Sequence, residues 1–240
     1  MKSRKLGQHY LVDPEAIQRI ISTAGVRGNE VVVEIGTGRG ALTRELKDLC
    51  GRLEGFEVDP LNLETTRRVA AAGNVTLHLA DAFRARPVFD VLVSSLPYSR
   101  SADFVEWLSQ LEYQRAVVVL QEDFVEKITS PPGDRNYRAI SAIAQISSAI
   151  RLGEKIGREA FSPRPRVDSR IATFVPKIRL TMPQLVLIKR LFALRRRTTS
   201  SVFARLGIAP AAALADSRRR VYHLSPAEVY QIVSEARLQP

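Results

Sequence analysis

The segment VVVEIGTGRGALT, Val31 to Thr43, restricts this chain to few folds. A β-branched run stops at an acid and a glycine cluster and passes into helix-forming residues, so the pattern predicts strand, tight turn, helix. Glycines at 36, 38 and 40 permit positive φ and a close approach of backbone to a ligand, with the N–H groups of the following helix turned to the same spot. Such a turn suits a nucleotide-like ligand. Gly36-x-Gly38-x-x-Ala41 also meets the loose dinucleotide fingerprint, so the turn alone leaves a nicotinamide cofactor open.

Further strand patterns follow at about Leu53–Val58, Val75–Leu79, Phe89–Val93 and Arg115–Leu120, with helical patterns between them. A terminal pair is expected at about Ala149–Ile156 and Arg170–Pro176. This alternation predicts an α/β, doubly wound, mostly parallel seven-stranded Rossmann-like sheet, with its ligand at the carboxyl ends of the early strands. Four features fall at such ends: the glycine turn, Glu57, Asp81-Ala82-Phe83 and Ser95-Leu96-Pro97-Tyr98. Glu57 lies 21 residues after Gly36, where a carboxylate accepts bonds from ribose hydroxyls. An acid beside an aromatic ring suits a purine amine and face, and the SLPY segment offers carbonyls and hydroxyls beside a ring. Beyond Pro176 the pattern is helical only, which predicts a division into residues 1–177 and a small all-helical unit, 178–240.

Charge divides in the same way. Residues 1–150 hold 18 Lys+Arg against 19 Asp+Glu, net −1, whereas residues 151–240 hold 18 against 6, net +12. A field so segregated favours a polyanion such as RNA. Arginine outnumbers lysine 29 to 7, which suits phosphate forks and stacking on bases. The loop TSPPGDRNYR, 129–138, adds Arg135, Tyr137 and Arg138 as an RNA-facing mixture. A lone Cys50 and scattered His9, His78 and His223 have no ligand spacing, so no metal is expected. The apolar runs are too short to span a bilayer and the basic N-terminus lacks a secretory pattern, which together suggest a cytoplasmic protein.

Taken together, RKLGQHYLVDP, EIGTGRGALT, FEVDP, DAF, SLPY, QEDFVEKITSPPGDRNYRAIS, FSPRPRVDS, RRRTTSSVF and RVYHLSPAEV resemble the small-subunit ribosomal RNA adenine N6,N6-dimethyltransferases over nearly the whole chain. That resemblance implies S-adenosylmethionine as cofactor and adenine N6 of small-subunit rRNA, in an immature small subunit, as target of a monomeric enzyme. It implies cofactor contacts from Gln8, His9, Leu11, Gly36, Gly38, Glu57, Val58, Asp81, Ala82 and Ser95. Ser95 and the carbonyls of Leu96 or Pro97 would orient the target amine, while Tyr98 and Phe161 would stack on the extruded base. Arg164, Arg195, Arg196 and Arg197, with the 129–138 loop, would meet RNA. Two positions depart from the family pattern: Ser95 and His9 each stand where Asn is usual. The shorter hydroxyl at 95 keeps open a weakly catalytic or non-catalytic rRNA-binding assembly factor as the alternative, with a nicotinamide oxidoreductase behind it.

Overall fold

A computed structural model describes residues 9–208 and 218–236. Its central sheet has seven strands: β2 (Val31–Ile35), β3 (Arg52–Glu57), β4 (Val75–Leu79), β5 (Val91–Ser95), β6 (Arg115–Gln121), β7 (Ser148–Ile156) and β9 (Ser169–Pro176). Across the sheet their order is β4-β3-β2-β5-β6-β9-β7. The five from β4 to β6 are parallel, and β9 runs antiparallel to both β6 and β7. Two short strands, β1 (Tyr10–Leu11) and β8 (Phe161–Ser162), pair antiparallel apart from this sheet, with Leu11 opposite Phe161. Helices need room to cross between parallel neighbours, so both faces are covered and the central strands are mostly apolar. Val32, Val33, Val91, Leu92, Val93, Val117 and Val118 are accordingly buried.

Local chemistry starts the helices. α1 (Pro14–Ala24) begins where the Asp13 carboxylate accepts from Glu15 N at 3.1 Å, with Pro14 supplying a preset φ. It ends at Gly25, φ 53°, after burying Ala16, Ile20, Ile21 and Ala24. α3 (Pro60–Val69) repeats the Asp-Pro start with Asp59. α2 (Ala41–Leu46) follows the glycine turn, and α4 (Ser101–Leu108), α5 (Glu122–Thr129) and α6 (Ala139–Ser147) complete the layers.

After β9 come α7 (Met182–Ala193), α8 (Thr199–Leu206) and α9 (Pro226–Glu235), the first and last opened by capping boxes Thr181/Gln184 and Ser225/Glu228. Ile188, Leu191, Phe192, Val229 and Ile232 join Phe104, Ile143 and Ile146 in one apolar cluster. The basic helical segment is therefore seated on α6 through a shared core.

Candidate cofactor and base site

One cleft opens at the carboxyl ends of β2, β3, β4 and β5, and it is lined by Gly36, Gly38, Glu57, Asp81, Ser95, Leu96 and Pro97. All four strand-end features expected from the sequence thus meet in one place. The glycine turn is left-handed at Gly36 (φ 72°), Gly38 (56°) and Gly40 (81°), conformations costly for residues with a Cβ. A Cβ on Gly38 would lie 3.4 Å from the Tyr10 ring, so this glycine also admits the N-terminal arm.

Glu57 ends β3 almost wholly buried. Its carboxylate accepts from Gly38 N at 2.8 Å, Val58 N at 2.8 Å and Asp59 N at 2.9 Å, which ties the strand end to the glycine turn. Burial raises its carboxyl and these bonds oppose the rise. Glu34, absent from the sequence expectations, lies beneath the same turn and lines the cleft. Thr43 Oγ1 donates to it at 2.6 Å, yet complete burial, reinforced by repulsion from Glu57, pushes its carboxyl up to about 8. Ser94 Oγ, one residue before Ser95, donates to Ile35 O at 2.6 Å and fastens β5 to β2 at the cleft floor.

Asp81 caps the turn after β4, accepting from Phe83 N at 3.0 Å. Arg100 also reaches it at 3.2 Å and lies 4.5 Å above the Phe83 ring. Ala82 is buried and Val58 exposed, and both line the cleft. Ile35, Phe56, Ala82, Phe83 and Leu96 form apolar walls between these polar corners. A nucleoside with a charged tail fits this set: planar apolar slots, a buried acid at a glycine turn, and a second acid beside an aromatic ring.

The arm closes one side. His9 Nδ1–H donates to Pro163 O at 2.6 Å, and the His9 ring lies 5.5 Å from that of Tyr98 at 31°. Tyr98 Oη and Ser169 Oγ are hydrogen-bonded at 2.8 Å. Leu11 lines the cleft and is otherwise buried. Gln8 lies outside the described residues.

Two of the expected aromatic contact residues are buried. Phe161 is 4% exposed, packed with Leu11, Ala160 and Ile171, because its pairing with Leu11 turns the ring into the core; it does not stand open to a base. Tyr137 is 0% exposed and meets Phe192 edge-on at 5.4 Å, so it anchors the 129–138 loop rather than facing RNA. The remaining expected RNA residues are at the surface: Arg135, Arg138, Arg164, Arg196 and Arg197 are exposed and Arg195 half-buried. Gly133 N donates to Tyr222 O at 2.8 Å and Tyr222 N to Arg195 O at 3.1 Å, which draws the loop and the arginine run together. Partial burial and the charges of Arg138 and Arg196 push the Arg195 guanidinium down. Arg218 and Arg220, absent from the sequence expectations, are exposed beside them; the run of three arginines at 218–220 was the available signal.

This sheet, with its glycine turn and two strand-end acids, defines a Rossmann-like methyltransferase. The model of the family "Ribosomal RNA adenine dimethylase" matches residues 1–237, and the chain belongs to that family. A probable ribosomal RNA small subunit methyltransferase A of Thermococcus gammatolerans is 36% identical over 243 residues, 96% of this chain and 87% of the relative. Its counterpart from Pyrococcus abyssi is 34% identical, over 95% and 89%. Among solved structures, a dimethyladenosine transferase from Plasmodium falciparum superposes with a TM-score of 0.81 at 22% identity, covering 93% of this chain and 96% of that one. The 23S rRNA methyltransferase ErmE gives 0.65 at 23%, covering 95% and 99%. The protein is an S-adenosylmethionine-dependent rRNA adenine methyltransferase. The assembly-factor and oxidoreductase alternatives find no support.

Proposed function

We propose that the protein methylates adenine N6 in the rRNA of an immature small ribosomal subunit, acting as a cytoplasmic monomer and transferring two methyl groups to each target. The observation that carries this reading is the position of Ser95, Leu96 and Pro97 on the same cleft as Gly36, Glu57 and Asp81. The target nitrogen is a poor nucleophile because its lone pair is delocalised into the purine. Orientation is therefore the main task of the site. We assign the amine hydrogens to the Leu96 carbonyl and the Ser95 hydroxyl, the Pro97 carbonyl having one of its two lone pairs already engaged by Arg100 N at 2.9 Å. Tyr98 stacks on the extruded base. The cofactor, when bound, supplies an electrophilic methyl group. Gly36 and Gly38 admit its methionine end, Glu57 its ribose, Asp81 and Ala82 its adenine, with His9, Leu11 and Val58 around it.

The helical unit 178–240 docks on rRNA through the surface that joins Arg138, Arg195, Arg196 and Arg197, with Arg135 and Arg164 at its margins. Neutralising phosphates there releases counterions and fixes the enzyme over its target without reading sequence. The test is to incubate protein, immature small subunits and labelled methyl donor, then digest the rRNA for mass spectrometry. N6,N6-dimethyladenosine is expected. Unmodified adenosine at saturating cofactor would overturn the proposal, and transfer to mature subunits alone would overturn the assembly-state part.

A further inference from the structure

Asn62, the third residue of α3, is 6% exposed and lines the same cleft as Glu57 and Gly38. Its Oδ1 accepts from Tyr10 Oη at 3.1 Å, while its Nδ2 is buried with no partner. Turning the amide over exchanges the two atoms but still leaves one of them unpaired. Native interiors rarely leave such an atom unsatisfied. The Glu57 carboxylate on the same cleft is occupied by three backbone donors, leaving it little capacity for two ribose hydroxyls. One turn further along α3, Thr66 Oγ1 donates to Gly38 O at 2.9 Å, which fixes this helix face against the glycine turn. Tyr10 is held as firmly: its ring packs on Gly38 and the Arg39 guanidinium lies 4.3 Å above it.

From this arrangement we infer that Asn62 is a cofactor-binding residue whose unpaired amide atom bonds a ribose hydroxyl, with the Tyr10 hydroxyl holding the amide plane. A hydroxyl both donates and accepts, so it suits either orientation of the amide. Tyr10 thereby makes the N-terminal arm part of the cofactor site as a positioning residue, while its neighbour His9 reaches toward Tyr98.

Calorimetric titration tests this with S-adenosylhomocysteine and its 2′,3′-dideoxy analogue on wild type, Asn62→Ala and Tyr10→Phe. Asn62→Ala should weaken S-adenosylhomocysteine about tenfold, the size of one lost bond, and leave the dideoxy analogue unchanged. Tyr10→Phe, which keeps the ring and its packing, should weaken the first roughly threefold and again spare the second. Equal affinity of all three proteins for S-adenosylhomocysteine would overturn the inference. So would an equal loss for both ligands, which would mark a change of cleft shape. Should Asn62→Ala fail to fold, Tyr10→Phe with the two ligands decides alone. Binding by wild type is read separately, so failure of the cofactor assignment itself is distinguishable.

Discussion

Tyr98 Oη and Ser169 Oγ lie 2.8 Å apart, and this bond joins the SLPY turn to the last residue of FSPRPRVDS. Ser169 is 0% exposed and opens β9, where the sheet ladder holds it opposite Gln121 and Ile156. The Tyr98 ring is thus tied to a strand that is paired on both sides within the sheet. Ser169→Ala and Tyr98→Phe should each lower kcat about tenfold with little change in cofactor affinity. The double variant should lose no more than either single one, because one bond is being removed three ways. Steady-state kinetics on small subunits measure this; additive losses would show that the hydroxyls act separately.

Glu34 gives a pH dependence. Its folded-state carboxyl is raised from 4.5 to about 8, so its contribution to stability is full below about pH 4.5 and is lost as pH rises toward 8. Glu34→Gln retains an acceptor for Thr43 and cannot ionise. The variant should match wild type at low pH and unfold at higher temperature than wild type at pH 8 and above. Thermal melts across that range decide it, and a difference independent of pH would exclude the carboxyl as the cause.

Tyr137 separates packing from RNA contact. Its hydroxyl is buried without a partner, whereas its ring fills core space against Phe192. Tyr137→Phe should be neutral or stabilising by about 1 kcal/mol, and Tyr137→Ala should cost about 3–5 kcal/mol. In filter binding, Tyr137→Phe should match wild type in rRNA affinity; a clear loss would restore an RNA role for the hydroxyl.

Arg196 and Arg197 are exposed, and Tyr222 and Val221 bind the backbone of Arg195 and Arg197. Charge reversal at the two exposed side chains should leave that scaffold standing. rRNA affinity should fall at low salt, and the slope of log affinity against log salt should flatten by about 1 for each phosphate no longer neutralised. Calorimetric affinity for S-adenosylhomocysteine should be unchanged. Parallel losses would mean that the helical segment and the cofactor cleft do not act independently.

Ser95→Asn supplies a longer acceptor at the SLPY turn. An added well-placed bond to the target amine should raise methyl transfer by roughly tenfold to a hundredfold. Single-turnover rates on small subunits report it directly. An unchanged rate would mean that the Leu96 carbonyl alone already sets the amine.

Residues 31–43 determined the strand, turn and helix at the heart of the site, because glycine spacing and β-branching act within a few residues. The same local logic made Glu57, Asp81 and the SLPY turn legible as strand ends, and charge counting placed the basic segment at the C-terminus. Other features depended on which distant segments meet. Phe161 and Tyr137 are aromatic residues in exposed-looking loops, yet pairing with Leu11 and contact with Phe192 bury them. Glu34 reads as an ordinary acid until the turn closes over it, and Asn62 is an unremarked helix residue until Tyr10 reaches it. Sequence periodicity fixes which way a strand or helix faces, but burial and unpaired polar atoms arise from contacts across 50 residues or more, as between Tyr10 and Asn62, and only the tertiary structure decides those.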